Sequence, residues 1–487
     1  MLILSIVVPV LLGLGILLAR EIKSRKCLLT VTGASLAVTA ALGVSVAFGG
    51  EAELFLFSIG KDLDFYLRVD PLGRLFALVA DVVWLLSGFY AFEYMKHEKE
   101  EKRFFGFYVT VFGILHALCF SGSMVTFYLF YELMTLLSVP LILHNRSADA
   151  IKGGLKYLFY SLFGAYLVLF GLFFLNRFAD TLTFRPGGTL NMAAVSGNEG
   201  LMLVVAFSMI LGFSVKAGMF PLHAWLPTAH PVAPAPASAV MSGIIVKMGV
   251  LGMIRVVYYL VGADFIRGTW VQTAWMSLSL VTVFMGSMLA YREKILKKRL
   301  AYSTVSQASY ILFGLSLLQP SAMTGALLHV VFHAFIKSCL FLSAGAIIYK
   351  THKTNVTQLR GIGKEMPAAI WCYTFASAAL IGIPPASGFI SKWYLATGAL
   401  ASGIETFSWL GPVVLLVSAL LTAGYLLPVT VSGFLPGEDF DYKALEKKEP
   451  NMTMLLPLML LAALAVVLGI FPNPLTAYIT QIAAGVL

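Results

Sequence analysis

Fourteen apolar runs, each of at least 18 residues, succeed one another along this chain with short charged or Gly/Pro/Asn-containing stretches between them. A helix needs about 20 apolar residues to cross the roughly 30 Å hydrocarbon core of a bilayer. At 59% hydrophobic and 12% charged residues, the chain cannot build a water-facing surface. That composition excludes a soluble enzyme, a nucleic-acid-binding domain and a disordered chain. No strand-like alternation competes, so the expected fold class is an all-α polytopic membrane protein with about 14 transmembrane helices. The expected spans are 2–19, 28–48, 71–92, 104–121, 123–143, 154–175, an interrupted 201–230, 233–260, 271–291, 300–318, 322–349, an interrupted 367–399, 409–433 and 453–470. The first run has no positive n-region before it and no small-residue cleavage site after it, and so reads as a retained helix.

The net charge of +10 would suggest a nucleic-acid partner in a soluble protein, but here it reports topology. With the N-terminus outside, the connections on the cytoplasmic side hold 23 Lys and Arg, and those on the outer side hold 5: Lys61, Arg68, Arg177, Arg185 and Arg267. Cytoplasmic loops carry the positive excess. The bias therefore predicts a multi-pass protein of the cell membrane with both termini outside. Four cysteines, Cys27, Cys119, Cys339 and Cys372, lie far apart and indicate neither a disulfide framework nor a thiolate metal site.

Six cations remain within or at the edges of spans: Arg74, Lys216, Lys247, Arg255, Lys337 and Lys392. Arg74 and Arg255 are near enough to helix ends to snorkel. The four lysines lie deeper, where a charge costs about 2.5–3.5 kcal/mol on insertion scales, and intramembrane ionisable groups mark ion paths. Lys216 stands five residues before Pro221, in a span that also meets Pro227 and Pro231, and Lys392 follows Pro384 and Pro385 by eight and seven residues. Proline breaks a helix by removing a donor and crowding the preceding turn. Two Pro-interrupted spans with a buried lysine each, five spans apart, point to a mid-membrane site between two inverted five-helix repeats, spans 4–8 and 9–13. The chain then divides into 1–103 (spans 1–3), 104–260 (first repeat), 271–433 (second repeat) and 434–487 (a loop and span 14).

In the eleventh span His329, His333 and Lys337 recur at i, i+4 and i+8. They drift only about 80° around the helix while climbing about 12 Å, so one face carries a ladder of proton-exchanging groups. Two histidines without a third ligand make a poor metal site, and none is expected. Glu132 in the fifth span and Lys216 solve each other's burial if they face one another. His223 and His230 lie in the broken part of span seven and, with Pro221, Pro384 and Pro385, read as cavity-lining or packing residues. Asp81 lies near the middle of span three, outside both repeats, and reads as a partner-subunit contact or a lateral water site.

Four segments carry a resemblance: K-A-G-M-F-P-L-H-A-W-L-P-T-A-H-P with A-P-A-P-A-S-A-V after it (216–240), K-K-R-L-A-Y-S-T-V-S-Q (297–307), H-A-F-I-K-S-C-L-F-L-S-A-G (333–345) and G-I-P-P-A-S-G-F-I-S-K-W (382–393). Over about residues 104–433 the chain resembles the antiporter-like membrane subunit family. That family includes the proton-channel subunits of respiratory complex I, the Mrp antiporter D protein of sodium/proton exchange, and members of membrane-bound hydrogenases. The resemblance implies fourteen helices, inverted five-helix repeats, broken seventh and twelfth helices, and a water-filled polar axis along the membrane midplane. It assigns Glu132 as the fifth-helix glutamate and Lys216 as the seventh-helix lysine. Lys247 becomes the eighth-helix relay, His333 with His329 and Lys337 the eleventh-helix link, and Lys392 the terminal residue. Two departures stand out. Thr228 replaces the Asp that many members carry after W-L-P, and the chain stops at Leu487 without the long lateral helix of the most distal complex I member.

The expected function is proton translocation along Lys216, Lys247, the span-eleven ladder and Lys392, gated by Glu132. Sodium wants oxygen ligands and is repelled by a row of ammonium groups, so any sodium site belongs to another subunit. No cofactor motif is present in this chain; iron–sulfur clusters or nickel belong to partner subunits if the parent complex is redox-driven. The expected partners are other membrane subunits, lipid and protons, with no nucleic acid and no catalytic chemistry in the chain itself. The competing readings are a stand-alone carrier of a small solute and a non-transporting membrane scaffold.

Overall fold

A computed structural model describes residues 1–22, 24–60, 63–442 and 445–487; Lys23, Lys61 and Lys443, which enter the loop charges above, lie outside the described residues. In hydrocarbon every backbone donor must be satisfied within its own segment, which leaves the helix as the default. The helices start where a side chain can take an orphan N–H. Ser24, Asp70, Ser123, Ser147 and Asn451 each accept such a bond at a helix N-terminus.

The elements follow as α1 (Leu2–Leu18), α2 (Arg25–Phe48), β1 (Glu53–Ser58), β2 (Asp64–Arg68), α3 (Pro71–Tyr94), α4 (Glu101–Cys119), α5 (Met124–Ile142) and α6 (Ala148–Phe178). Then come α7 (Met192–Val195), α8 (Glu199–Ala217), α9 (Leu226–Val232), α10 (Ala235–Val240), α11 (Val246–Val256) and α12 (Ala263–Ile266). Two π-helical turns, Met241–Ile245 and Val257–Val261, extend α10 and α11 into one continuous stretch. The chain continues as α13 (Trp270–Arg292), α14 (Leu296–Ser316), α15 (Pro320–Thr351), α16 (Ile362–Glu365), α17 (Pro367–Ile381), α18 (Ser387–Leu400), α19 (Glu405–Phe434), α20 (Met452–Ile470) and α21 (Asn473–Val486).

Among the described residues, eleven helices are long and apolar enough to cross a membrane, and α1 and α17 are shorter apolar helices. The stretch Ala235–Val261 and α15 are buried along nearly their whole length and form the centre, whereas α2, α6, α19 and α20 turn much of their surface outward. α15 packs on α14, α17, α18 and α20, α8 on α6 and α11, and α1 on α4.

Three expectations change. First, residues 53–58 and 64–68 pair as antiparallel strands with Glu53 opposite Arg68 and Ser58 opposite Asp64, bulged between Phe55 and Phe57. Its sequence E-L-F-L-F-S runs continuously apolar rather than alternating, and so hides a strand. Second, a further helix, α21, follows the last expected span. Third, Arg255 does not snorkel. It is 1% exposed and held by both carboxylate oxygens of Asp70, with Nη2 2.8 Å from Oδ1. The guanidinium sits between the rings of Phe184 and Tyr259 at 5.0 and 4.7 Å.

Candidate functional site

Both expected breaks are present and share a construction. α8 ends at Gly218 and α17 at Gly382, each in the left-handed conformation at φ 80° and 94° that glycine alone adopts without strain. Phe220–Pro221 and Pro384–Pro385 are both cis. Beyond each break a side chain reaches back to carbonyls at the end of the helix it follows. Trp225 Nε1 donates to the Val215 carbonyl at 2.7 Å. Lys392 Nζ donates to those of Leu380 and Ile381 at 2.6 and 2.9 Å. Pro221, Pro384 and Pro385 are exposed, so they shape the outer edge of the breaks and do not line an enclosed cavity.

Lys216, fully buried in the last turn of α8, donates to three hydroxyls: Thr135 Oγ1 on α5 at 2.9 Å, and Tyr157 and Ser161 on α6 at 3.0 and 2.9 Å. All three ammonium hydrogens are thus placed, and the Tyr157 ring lies 4.4 Å from the charge. The expected direct pairing with Glu132 is not formed: no ion pair within 4.0 Å joins them, although the two are close enough to interact electrostatically. Glu132 is half-buried between the exposed Leu129 and Leu136 on the outward side of α5, and its Oε1 has no partner. The neutral hydroxyls satisfy the lysine, and the carboxylate is left toward the periphery.

From Lys247 onward the groups touch in series. Gly249 lets α11 approach α8 closely, and the π-helical turn before α11 brings the Ser242 carbonyl within 2.5 Å of Lys247 Nζ. The same nitrogen lies 2.5 Å from His333 Nδ1 on α15. The His333 and His329 rings stack at 5.7 Å. His329 Nδ1 is 2.9 Å from Ser391 Oγ on α18 and its ring is 5.5 Å from that of Tyr310 on α14. The other face of the relay is Lys392 Nζ, 5.1 Å from the Tyr310 ring. Nε2 of both histidines makes no hydrogen bond within the chain, so each can take or give a proton there.

Lys337 leaves the ladder and donates to the Leu300 carbonyl at 3.1 Å. His230 is fully buried, stacks on Phe341 at 4.6 Å and has no partner on either ring nitrogen. Lys297, expected in a loop, lies within α14, is 6% exposed and reaches the carbonyls of Pro231 and Ala233. His223 is half-buried against Phe220. Thr228 accepts from Lys156 Nζ at 3.2 Å. Asp81 is 2% exposed and paired with His116 at 2.7 Å, so it reaches no surface that a partner subunit touches.

Sequence reasoning missed Thr135, Tyr157, Ser161, Ser391, Tyr310 and His116. His116, an ionisable group inside the span 104–121, carried the clearest signal, and Tyr157 with Ser161, two polar residues four apart within an apolar span, a weaker one. Among the described residues no group of three or more His, Cys, Asp or Glu gathers as a metal ion requires.

Residues 121–436 match the family described as NADH:quinone oxidoreductase/Mrp antiporter, TM. The chain belongs to that family. Residues 56–105 also match the N-terminus of NADH-ubiquinone oxidoreductase (complex I) chain 5. This antiporter-like membrane protein is 31% identical over 431 residues to the N component of the NADH-quinone oxidoreductase of Desulforudis audaxviator, spanning 86% of this chain and 84% of that one. It is 27% identical over 494 residues to the D component of the Na(+)/H(+) antiporter of Alkalihalophilus pseudofirmus, spanning 100% and 97%. Its fold superimposes on a chain of the Mrp complex from Dietzia sp. with a TM-score of 0.85 at 21% identity, over 100% of this chain and 97% of that one.

Proposed function

We propose that this protein conducts protons within a multisubunit assembly of the Mrp or complex I type, between Lys216 and Lys392 by way of Lys247, His333 and His329. The observation that carries this reading is the unbroken series of contacts from Lys247 to Lys392, through 2.5 Å to His333 and on through stacked rings to Tyr310. Lys247, His333, His329 and Lys392 each exchange protons, Tyr310 offers its ring face between His329 and Lys392, and none is an oxygen cage suited to sodium. Lys216 stands apart in its hydroxyl nest, so its transfer to Lys247, like the steps across the stacked rings whose nitrogens do not meet, needs water or movement. Glu132, off the nest and toward the periphery, biases Lys216 from a distance that a neighbouring protein can alter.

The fourteen-crossing layout with inverted repeats over spans 4–8 (104–260) and 9–13 (271–433) is supported by the matching breaks at Gly218 and Gly382. Both termini outside is supported by the 23-to-5 loop charge bias. A cavity of about 190 Å³ lined by Glu98, Asn145, Pro231, Ala233, Lys297 and Thr354 lies on the side this orientation makes cytoplasmic. Lys297 at its floor and the unpartnered His230 beyond suit it as the proton inlet.

The test is Lys216→Met and Lys392→Met in the native complex, purified and reconstituted in vesicles. Both variants are expected to assemble and to lose coupled ion movement. Wild-type transport in both sinks the path, and tolerance of every lysine substitution favours a scaffold. A chain that extracts alone and transports by itself favours a carrier. Iron or nickel in the purified complex identifies a redox-driven parent; small hydrophobic partners without metal identify an Mrp-type antiporter.

A further inference from the structure

Helices α1–α4 lie outside the lysine–histidine series and hold a buried pair that it does not use. His116 Nε2 on α4 is 2.7 Å from Asp81 Oδ1 on α3, and His116 Nδ1 is 3.0 Å from the Ser5 carbonyl on α1. A carbonyl only accepts, so Nδ1 carries a hydrogen. The Nε2–Oδ1 contact then holds one more proton, on the imidazole beside a carboxylate or on the carboxyl beside a neutral imidazole. Both forms use the same two hydrogen bonds, and the proton passes between them without displacing a heavy atom. Either way the pair is uncharged as a unit, the condition that deep burial tolerates. Loss of the proton leaves two lone pairs facing each other, so it departs only as water or a helix movement separates them.

The surroundings are not those of a contact that serves packing alone. Asp81 Oδ2 is buried without a partner, which costs free energy that a settled structural contact avoids. α2 passes it at Gly43, where a Cβ would stand 2.5 Å from Oδ2 and 2.7 Å from His116 Cε1. From α1 the pair meets the Ser5 carbonyl and from α2 a residue with no side chain, while Cys119 on α4 lies within electrostatic reach of Asp81. Cys119 is also within electrostatic reach of Asp70 and Arg255. Asp70 lines a cavity of about 340 Å³ shared with Glu51, Glu53, Arg68 and Tyr259, beside the β1–β2 hairpin.

We propose that Asp81 and His116 form a second proton-binding site, apart from the lysine–histidine series, that gains and loses one proton during transport. It rests on the reading that the protein conducts protons. The test uses the native complex carrying Asp81→Asn. The amide N–H of the new side chain still donates to Nε2 of a neutral His116, so the packing contact survives while the proton-carrying carboxyl is gone. The expected result is normal assembly, loss of an aspartate carboxyl signal from pH-difference infrared spectra, and proton transport slower by on the order of tenfold or more. Wild-type transport in the Asp81→Asn complex overturns the proposal. Should that variant fail to assemble, the wild-type complex with isotope-labelled aspartate decides: infrared spectra with no Asp81-type carboxyl change between acid and alkaline buffer also overturn it. A complex in which Lys216→Met transports normally but the infrared signal is present removes the lysine path and leaves the pair standing.

Discussion

Gly249 lies where α11 crosses α8, between the two lysines that the proposed path must connect. A Cβ at this position would stand 2.7 Å from the Phe213 carbonyl oxygen, 2.9 Å from Lys216 Cβ and 3.1 Å from the Ala217 nitrogen. Ordinary contact begins at 3.4 Å, so Gly249→Ala forces the helices about 0.7 Å apart, the difference between 3.4 and 2.7 Å. Two of the three obstructing atoms are backbone and cannot rotate away. Overpacking of this kind costs about 1–3 kcal/mol. Lys247 is two residues from the substitution and holds His333 at 2.5 Å. A displacement falling wholly on that contact stretches it to about 3.2 Å, the outer limit of a hydrogen bond. Misplacement by 1 Å costs about a hundredfold in a positioned reaction, so a shift of this size predicts a loss on the order of tenfold. The assay is proton movement by the reconstituted complex, read beside its thermal dissociation midpoint. Gly485→Ala, with nothing within 4 Å of its Cβ, is the neutral control. Wild-type transport and stability in Gly249→Ala would refute the reasoning, because either the helices yield at no cost or the Lys247–His333 contact does not limit the rate.

Two further outcomes follow from the charges near the helix ends. Arg255→Met removes the partner that holds both oxygens of Asp70 and leaves a part-buried carboxylate with the Gly73 N–H bond, which predicts about 1–3 kcal/mol of destabilisation and a lower melting midpoint; combining it with Asp70→Asn should recover part of the loss, and an additive double variant refutes the pair. Glu293, in the connection between α13 and α14, has a carboxyl that burial raises, but hydrogen bonds from Lys298 and the Ile295 and Lys294 amides, with the Lys298 charge, outweigh this and hold it below the usual carboxylate range. A folded value below the unfolded one stabilises at neutral pH and is lost as pH falls through the depressed value. With the two side chains 15% and 35% exposed the gain is under about 1 kcal/mol. Amide protection factors across residues 293–298, corrected for the intrinsic pH dependence of exchange, should therefore fall modestly as pH drops through the depressed value; protection that falls on raising the pH instead contradicts the sign.

The membrane class was legible in the chain because lipid tolerates only long apolar helices, and a run of 18 or more such residues records that demand locally. The helix breaks were legible for a related reason. Pro221 and the Pro384–Pro385 pair each remove backbone donors just beyond Gly218 and Gly382 and so favour a break there, although single prolines such as Pro140 and Pro412 sit inside continuous helices. The lysines at 216, 247, 337 and 392 announced themselves because a cation in an apolar run needs a partner. Which partner was not written there. Lys216 and Thr135 are 81 residues apart, Lys247 and His333 86, and Asp81 and His116 35. Such contacts depend on which faces of separate helices come together. Glu132 had the right charge to hold Lys216, yet packing gave that place to three hydroxyls and left the carboxylate outward. Lys337 kept its helical spacing from His333 but turned to a carbonyl on α14. Charge and periodicity are properties of a segment and survive in the sequence. A hydrogen bond across helices exists only once the helices have docked, and there the tertiary structure decided.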